Sequence, residues 1–405
     1  MGSNQLIKIK IMNIKEIKAG VYYVGVNDRT TQRFEALWPL PYGVSYNSYI
    51  VTGEKTALID GVEISQCDNL VKHIKEIIGD KHPDYLVINH MEPDHSGAIK
   101  VLRGYYPNMT IVGNAKTLEM VNGFYGISEN VIAVKDNDTL DLGGKTLSFR
   151  LTPMVHWPET MMTYVAEDKV LFSGDAFGSF GALNGAVVDK EMDIEPYIPE
   201  MYRYYSNIVG KYGMPVQKAL AKTSDLAVDY ICSTHGPVWH SEVSRVVSIY
   251  DRLSKYEAED GVVIVYGSMY GNTQEMAEAI ATRLAERGVK KIKMHNVSYS
   301  HLSYILSDIF QYKGLIIGAP TYSNTLFPLI ESVIQAIKTR ELKNRVVGAF
   351  GSFTWASKAV SRINEVLEES HLLDTEIVSV ENKQAPGAID IEKCRALADA
   401  IVDKM

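Results

Sequence analysis

His90-Met91-Glu92-Pro93-Asp94-His95 follows directly on the apolar stretch Tyr85-Leu86-Val87-Ile88-Asn89. A short apolar run ending in polar residues predicts a buried strand delivering a loop. Alternation along that loop puts His90, Glu92 and Asp94 on one side of an extended backbone, and the adjacent His95 turns to the other. Such a loop can serve two metal ions at once. The carboxylate at position 92 favours harder metals such as iron or manganese over zinc.

Further candidate ligands lie just beyond other apolar or alternating runs. Leu147-Ser148-Phe149-Arg150-Leu151 leads through Thr152-Pro153-Met154-Val155 to His156-Trp157; Asp175 closes Val170-Leu171-Phe172-Ser173-Gly174; His235 closes Tyr230-Ile231-Cys232-Ser233-Thr234. Polar residues at strand C-termini can converge on one edge of a sandwich, as loop-borne functional residues do on rigid scaffolds. The inventory is His90, Glu92, Asp94, His95, His156, Asp175 and His235. Four neutral imidazoles and three carboxylates around two divalent ions leave a net charge of about +1, and such negative ligation suits a metal that must reach a ferric state. Asp175 can bridge two metals. A single histidine after a strand is more often a packing or surface residue, and the remaining six (His73, His82, His240, His295, His301, His371) are read that way.

Composition narrows the class. The chain has 405 residues, 46% hydrophobic and 22% charged, with a formal net charge of -8. That length exceeds one ordinary core, and the acidic balance argues against a nucleic-acid-binding surface. The N-terminus Met1-Gly2-Ser3-Asn4-Gln5 leads into alternating Ile and Lys rather than a signal peptide's apolar core, and no run is long enough to span a membrane, so a cytoplasmic protein is expected. Cys67, Cys232 and Cys394 form no C-x-x-C pair, which excludes a disulfide framework, a rubredoxin-like iron site and an iron–sulfur cluster. Electrons must come from outside the chain.

Strands are expected at Val21 to Val26, Ser48 to Val51, Thr56 to Ile59 and Thr110 to Gly113, a helix over about Asn69 to Ile78, and hairpins turning at Gly143-Gly144 and Glu167-Asp168. Strands, hairpins and helices in this mixture fit a sandwich with helices outside. The polar stretch 251–260 gives way abruptly to Val262-Val263-Ile264-Val265, which places a domain boundary near residue 258. Beyond it, buried strands at 262–266, 314–318 and 346–350 alternate with helical stretches at about 274–287, 328–338, 357–369 and 391–404. That alternation signals a doubly wound parallel sheet.

Strand 262–266 runs into Gly267-Ser268-Met269-Tyr270-Gly271-Asn272-Thr273 and then a helix. Small and hydroxyl residues at such a turn let backbone N–H groups and side-chain hydroxyls surround a phosphate. The loop lacks both G-x-G-x-x-G and a P-loop lysine, so a monophosphate fits better than a dinucleotide or nucleoside triphosphate. Pro320-Thr321-Tyr322-Ser323-Asn324 and Ser352-Phe353-Thr354-Trp355-Ala356 follow the next two strands. Three loops at successive strand ends surround the usual crevice of an open α/β sheet, and Tyr322, Phe353 and Trp355 offer faces for a flat ring. FMN is the expected cofactor.

Taken in order, His90-x-Glu92-x-Asp94-His95, Thr152-Pro153-Met154-Val155-His156-Trp157-Pro158, Leu171-Phe172-Ser173-Gly174-Asp175-Ala176-Phe177-Gly178, Ser233-Thr234-His235-Gly236 and the 267–273 loop make the chain resemble the flavodiiron proteins over nearly its whole length. The related motif with histidine in place of Glu92 marks the metallo-β-lactamase fold. The resemblance implies an α/β protein: an N-terminal metallo-β-lactamase-like αββα sandwich over residues 1–257, carrying two irons, and a C-terminal flavodoxin-like sheet over 258–405. It further implies that His90, Glu92 and His156 bind one iron, that Asp94, His95 and His235 bind the other, and that Asp175 bridges them. The implied activity is reduction of dioxygen to water or of nitric oxide to nitrous oxide, with FMN feeding electrons from an external donor such as rubredoxin or a reduced coenzyme. A head-to-tail homodimer, or a dimer of such dimers, is implied as well.

One segment departs from the family pattern. Many members carry a histidine after the Phe of the loop preceding Tyr46-Asn47-Ser48-Tyr49, whereas this chain reads Phe34-Glu35-Ala36-Leu37-Trp38-Pro39. Glu35 and Trp38 join Asp175 as candidates for a direct catalytic role, and the loss of a neutral donor leads to the expectation that dioxygen is the better substrate. Two other readings remain: a metal-dependent hydrolase of the β-lactamase fold with a fused flavin domain, which two zinc ions would reveal, and a non-catalytic flavin electron carrier, which would consume neither gas.

Overall fold

The computed structural model describes residues 14–370 and 377–405. Met1–Gln5 and His371 lie outside them. The chain falls into two compact units, one comprising residues up to Met201 with Pro215–Ser248, the other Tyr202–Met214 with Ile249–Met405. Tyr202–Met214 and residues 249–257 thus cluster with the second unit although they precede residue 258.

The first unit is a two-sheet sandwich. Seven strands, in the order Lys15–Lys18, Val21–Tyr23, Tyr49–Thr52, Thr56–Ile59, Tyr85–Val87, Thr110–Asn114 and Val131–Val134, form one sheet. From Thr56–Ile59 onward the neighbours are parallel. Helices make the crossovers that parallel pairing requires, among them Cys67–Ile78 and Ala115–Tyr125. Asn114 caps the second of these, its side chain accepting from the backbone N–H groups of Lys116 and Thr117. The other sheet runs Thr139–Asp141, Thr146–Leu151, Met161–Val165, Val170–Gly174 and Tyr230–Ser233, antiparallel except for its last pair. The two expected hairpins are both present. The expected strand from Val21 to Val26 instead divides, Val21–Tyr23 pairing with Tyr49–Thr52 and Val26–Asp28 with Val44–Tyr46. Inner faces meet through rings such as Tyr49 and Phe172, whose centroids lie 5.2 Å apart.

This topology explains why the motifs converge. Thr56–Ile59, Tyr85–Val87 and Thr110–Asn114 are parallel neighbours, so Asp60, Asn89-His90 and Asn114 emerge at one edge. In the second sheet Thr146–Leu151, Val170–Gly174 and Tyr230–Ser233 share a direction, and their C-terminal ends lead to His156, Asp175 and His235.

The second unit is a parallel sheet in the order Ile292–Asn296, Glu259–Tyr266, Tyr312–Tyr322, Val346–Phe353 and Val378–Lys383. The helices Asn272–Glu286, Leu302–Gln311, Pro328–Thr339, Ala359–Glu368 and Ala388–Lys404 alternate with the strands. Its core gathers Val262, Ile264, Ile316 and Phe350 from the strands with Met276, Ile280, Leu397 and Ile401 from helices. No helix among the described residues is long and apolar enough to cross a membrane.

Candidate metal centre and flavin site

All seven expected ligands meet at the sandwich edge. His90, Glu92, His156 and Asp175 offer ligand atoms within 4.8 Å of one another, and so do His95, Asp175 and His235. Asp175 belongs to both groups through different oxygens. Its Oδ2 lies 3.2 Å from His90 Nε2 and 2.9 Å from His156 Nε2, whereas Oδ1 lies 3.3 Å from His95 Nε2 and 3.7 Å from His235 Nε2. Asp94 Oδ2 completes the second group at 3.3 Å from His95 and 3.2 Å from His235. His156 Nε2 is also 2.9 Å from Glu92 Oε2. One carboxylate with each oxygen facing a separate triad has the layout of a bridge between two metals.

The donors are buried, and their charges sustain one another. Burial opposes an imidazolium at His95, but Asp94 and Asp175 outweigh it and raise the ring to about 10; at His156 the same opposition is overcome by Asp175 and Glu92, again to about 10. Burial disfavours the Asp175 carboxylate, yet His90, His156 and His95 hold it well below the ordinary range. Ligation needs deprotonated carboxylates, which this surrounding favours, and neutral imidazoles, which release their protons when a metal takes over the carboxylates' charge. Both ring nitrogens of His90 and both carboxylate oxygens of Asp94 are buried without a hydrogen-bond partner among the described residues. Buried polar atoms of that kind are costly unless something satisfies them, and a metal pair fits the donor set present.

Hydrogen bonds outside the ligand set fix its aim. His235 Nδ1 pairs with the Ser45 carbonyl at 2.8 Å, which turns Nε2 toward Asp94 and Asp175. Asp60, itself buried, accepts the Asn89 backbone N–H at 2.8 Å and the Asn89 side-chain amide at 2.7 Å, securing the residue before His90. Thr234 donates its hydroxyl to Asp175 Oδ1.

In the second unit the three expected loops line one cavity of about 390 Å³. Ser268, Met269, Tyr270, Asn272 and Thr273 come from the first loop, Pro320 to Asn324 from the second, and Ser352 to Ala356 from the third. Gly271 does not line it but starts the 15-residue helix with φ 98°, a conformation glycine adopts without strain. Ser268 Oγ accepts from the Gly271 N–H at 3.2 Å, and Thr273 Oγ1 lies 2.9 Å from Ser352 Oγ. Hydroxyls at a helix N-terminus beside exposed flat rings suit a phosphate joined to an aromatic ring system. Gln384, which sequence reasoning missed, also lines the cavity. It follows the strand Val378–Lys383, where the short apolar–polar alternation Val378-Ser379-Val380-Glu381 is the available signal.

Residues 44–236 match the family described as ODP family beta lactamase, and residues 264–395 match Flavodoxin. The anaerobic nitric oxide reductase flavorubredoxin of Escherichia coli O1:K1 is 34% identical over 385 residues, covering 94% of this chain and 80% of that protein. Rubredoxin oxygen:oxidoreductase from Desulfovibrio gigas superposes with a TM-score of 0.92 at 30% identity, covering 96% of this chain and 98% of that one. The flavodiiron protein from Giardia intestinalis gives 0.92 at 28% identity, covering 98% of each chain. The chain belongs to the flavodiiron proteins.

In this flavodiiron chain the segment 33–39 lies against the metal cluster. Arg33–Phe34 and Trp38–Pro39 pair antiparallel, and Glu35 and Ala36 between them have φ values of 49° and 56°. Left-handed conformations at two consecutive non-glycine residues are strained, a condition that persists only where surrounding contacts impose it. Trp38 Nε1 donates to Glu35 Oε2 at 3.0 Å. Glu35 is an exposed residue, yet partial burial of its carboxyl, and then the charge of Glu92, push it up to about 7. The Phe34 ring stands edge-on to His235 with centroids 5.2 Å apart.

The other described histidines have ordinary roles. His73 Nδ1 bonds the Val24 carbonyl, His240 stacks on Tyr230, His295 pairs with Asp308, His301 caps the helix Leu302–Gln311, and His82 packs edge-on to Tyr106.

Proposed function

We propose that His90, Glu92 and His156 hold one iron, that Asp94, His95 and His235 hold the other with Asp175 between them, and that the cavity at Ser268–Thr273 holds FMN. The protein is a flavodiiron oxidoreductase that reduces dioxygen to water, nitric oxide to nitrous oxide, or both. The observation that supports the ligand reading most is Asp175, with one oxygen toward each triad. When bound, two ferrous ions would supply one electron each and a reduced flavin two, the complement for four-electron reduction of dioxygen. Residues 1–257 form the diiron part and 258–405 the flavin part in this reading.

The chain's own groups do the rest. Buried carboxylates and oriented imidazoles fix the metal positions, Phe34 closes against His235, and Glu35, tethered by Trp38, sets a polar group beside Glu92. Exchanging the family's frequent histidine for Glu35 removes a neutral donor from that wall, and dioxygen is the better substrate in this proposal. Electrons come from an external carrier such as rubredoxin or a reduced coenzyme, in the cytoplasm, and pass between chains of a head-to-tail homodimer.

Iron-replete protein, reduced anaerobically and then exposed in parallel to each gas, tests the reading. About two irons and one FMN per chain with rapid gas consumption is expected; stoichiometric zinc with no gas consumption would overturn it. Faster turnover of nitric oxide than dioxygen at matched concentration would reverse the preference, and an unchanged ratio in Glu35→His would remove Glu35 from its cause. Mixed dimers of Asp175→Ala with a Ser268/Thr273 double variant should regain partial activity, and no rescue in demonstrated mixed dimers would refute transfer between chains.

A further inference from the structure

Glu159 is 2% exposed and lies just ahead of the strand Met161–Val165, at the edge where the metal ligands converge. Its Oε1 accepts the Met91 backbone N–H at 2.8 Å, and its Oε2 is buried with no hydrogen-bond partner among the described residues. Met91 is the residue between His90 and Glu92, and His156 is three positions before Glu159. One carboxylate thus joins the two segments that carry His90, Glu92 and His156, three of the four donors grouped at one metal position, Asp175 being the fourth. Its main chain is fixed in turn: Asn114 donates its side-chain amide to the Glu159 carbonyl, and Met161 N–H donates to the Asn89 carbonyl at 2.8 Å.

The other triad shares the loop after Met91 but has anchors of its own besides. Asp94 and His95 sit in the short helix Pro93–Ser96, where His95 N–H donates to the Glu92 carbonyl, and His235 is held through Ser45. We infer that Glu159 is a positioning residue specific to the metal held by His90, Glu92 and His156, and that it leaves the metal of Asp94, His95 and His235 unaffected. Burying a carboxylate is costly, and a side chain that merely filled space here would be apolar. Loss of such outer partners weakens metal binding by about 10–100-fold. This inference rests on the diiron reading above.

The test equilibrates iron-loaded full-length protein anaerobically against a graded ferrous chelator and counts the irons retained. Glu159→Leu should release one iron at about 10–100-fold lower chelator activity than wild type while the other holds. Glu159→Gln, which keeps an acceptor for Met91, should behave as wild type. Should Glu159→Leu fail to fold, judged by circular dichroism and FMN content, Glu159→Asp carries the same expectation, because the shorter side chain withdraws the acceptor. In a Glu92→Ala background, adding Glu159→Leu should leave the remaining iron's release unchanged. Simultaneous loosening of both irons, release no easier than in wild type, or a Gln variant resembling the Leu variant would each overturn the assignment. A wild-type chain that never holds two irons would instead refute the diiron reading.

Discussion

The metal cluster and the flavin cavity are built on opposite plans. Around the metals nearly everything is enclosed: His90 and His235 have no exposed surface, Asp175 is 1% exposed, and the surrounding hydrogen bonds reach the backbone on either side of the ligands. At the flavin cavity the rim is open, with Tyr270 91% and Trp355 83% exposed. Metal ligation demands short, fixed distances from several segments at once, so the fold settles them in advance. A flat cofactor is held by a phosphate cradle plus ring faces, and the faces gain their burial from the cofactor itself.

Breaking the enclosed site should therefore have the largest effect. Asp175→Ala removes a side chain that faces both triads and takes from His90, His95 and His156 one of the carboxylates that offset them. Iron content should fall toward zero and gas reduction by more than ~100-fold, with FMN content unchanged. His240→Ala, which breaks only a stack on Tyr230 and a bond to the Asp229 carbonyl, should keep its iron. Equal iron loss in the two variants, measured by metal analysis, would refute the bridge.

The open site should break more gradually. Replacing Ser268 by Ala and Thr273 by Val removes two hydroxyls from the phosphate loop, and hydrogen bonds to a charged group contribute about 1.5–3 kcal/mol each, so FMN affinity should fall by ~100-fold or more. Iron content should stay at the wild-type value. Trp355→Ala removes a single exposed ring, with an expected loss of only about 3–10-fold from about 0.5–1.5 kcal/mol of ring contact. Flavin fluorescence titration of apoprotein measures both, and a larger loss for Trp355→Ala than for the double variant would invert the roles of cradle and ring.

The same contrast governs what could be read in advance. Metal ligands were legible because each stands at a strand end in a segment whose apolar run announces the strand, as with Tyr85–Val87 before His90. Asp60, Asn114 and Glu159 belong to the same edge, but the bonds by which they hold it join segments far apart in sequence, which no local residue pattern advertises. In the second unit the central strands were plain from Val, Ile and Gly runs. Ile292–Asn296 and Val378–Lys383 stand at the sheet's two edges, where polar residues alternate with apolar ones and the signal weakens. Tyr197–Thr223 went unread because Pro199, Gly210, Gly213 and Pro215 interrupt the pattern, although the segment is helical throughout in α, π and 3₁₀ turns.

The smallest expected effect concerns the cysteines, which sharpen the comparison because neither region exposes one. Burial, and then the charge of Asp68, push the Cys67 thiol up to about 11; burial, and then Asp390, do the same for Cys394; burial alone raises Cys232 well above its ordinary value. A thiol that stays neutral is a poor nucleophile, so none should react with iodoacetamide in the folded protein at pH 8, and all three should react after unfolding. The sign of the pH dependence follows. The unfolded chain ionises these thiols near pH 9 and the folded chain only near 11, so their contribution to stability is complete below pH 9 and declines as pH rises toward 11. Denaturant midpoints for wild type and a Cys67→Ala/Cys394→Ala variant should therefore draw closer between pH 9 and 11. A separation that grows over that range would mean the folded thiols ionise first, and that these interiors are wetter than their burial implies.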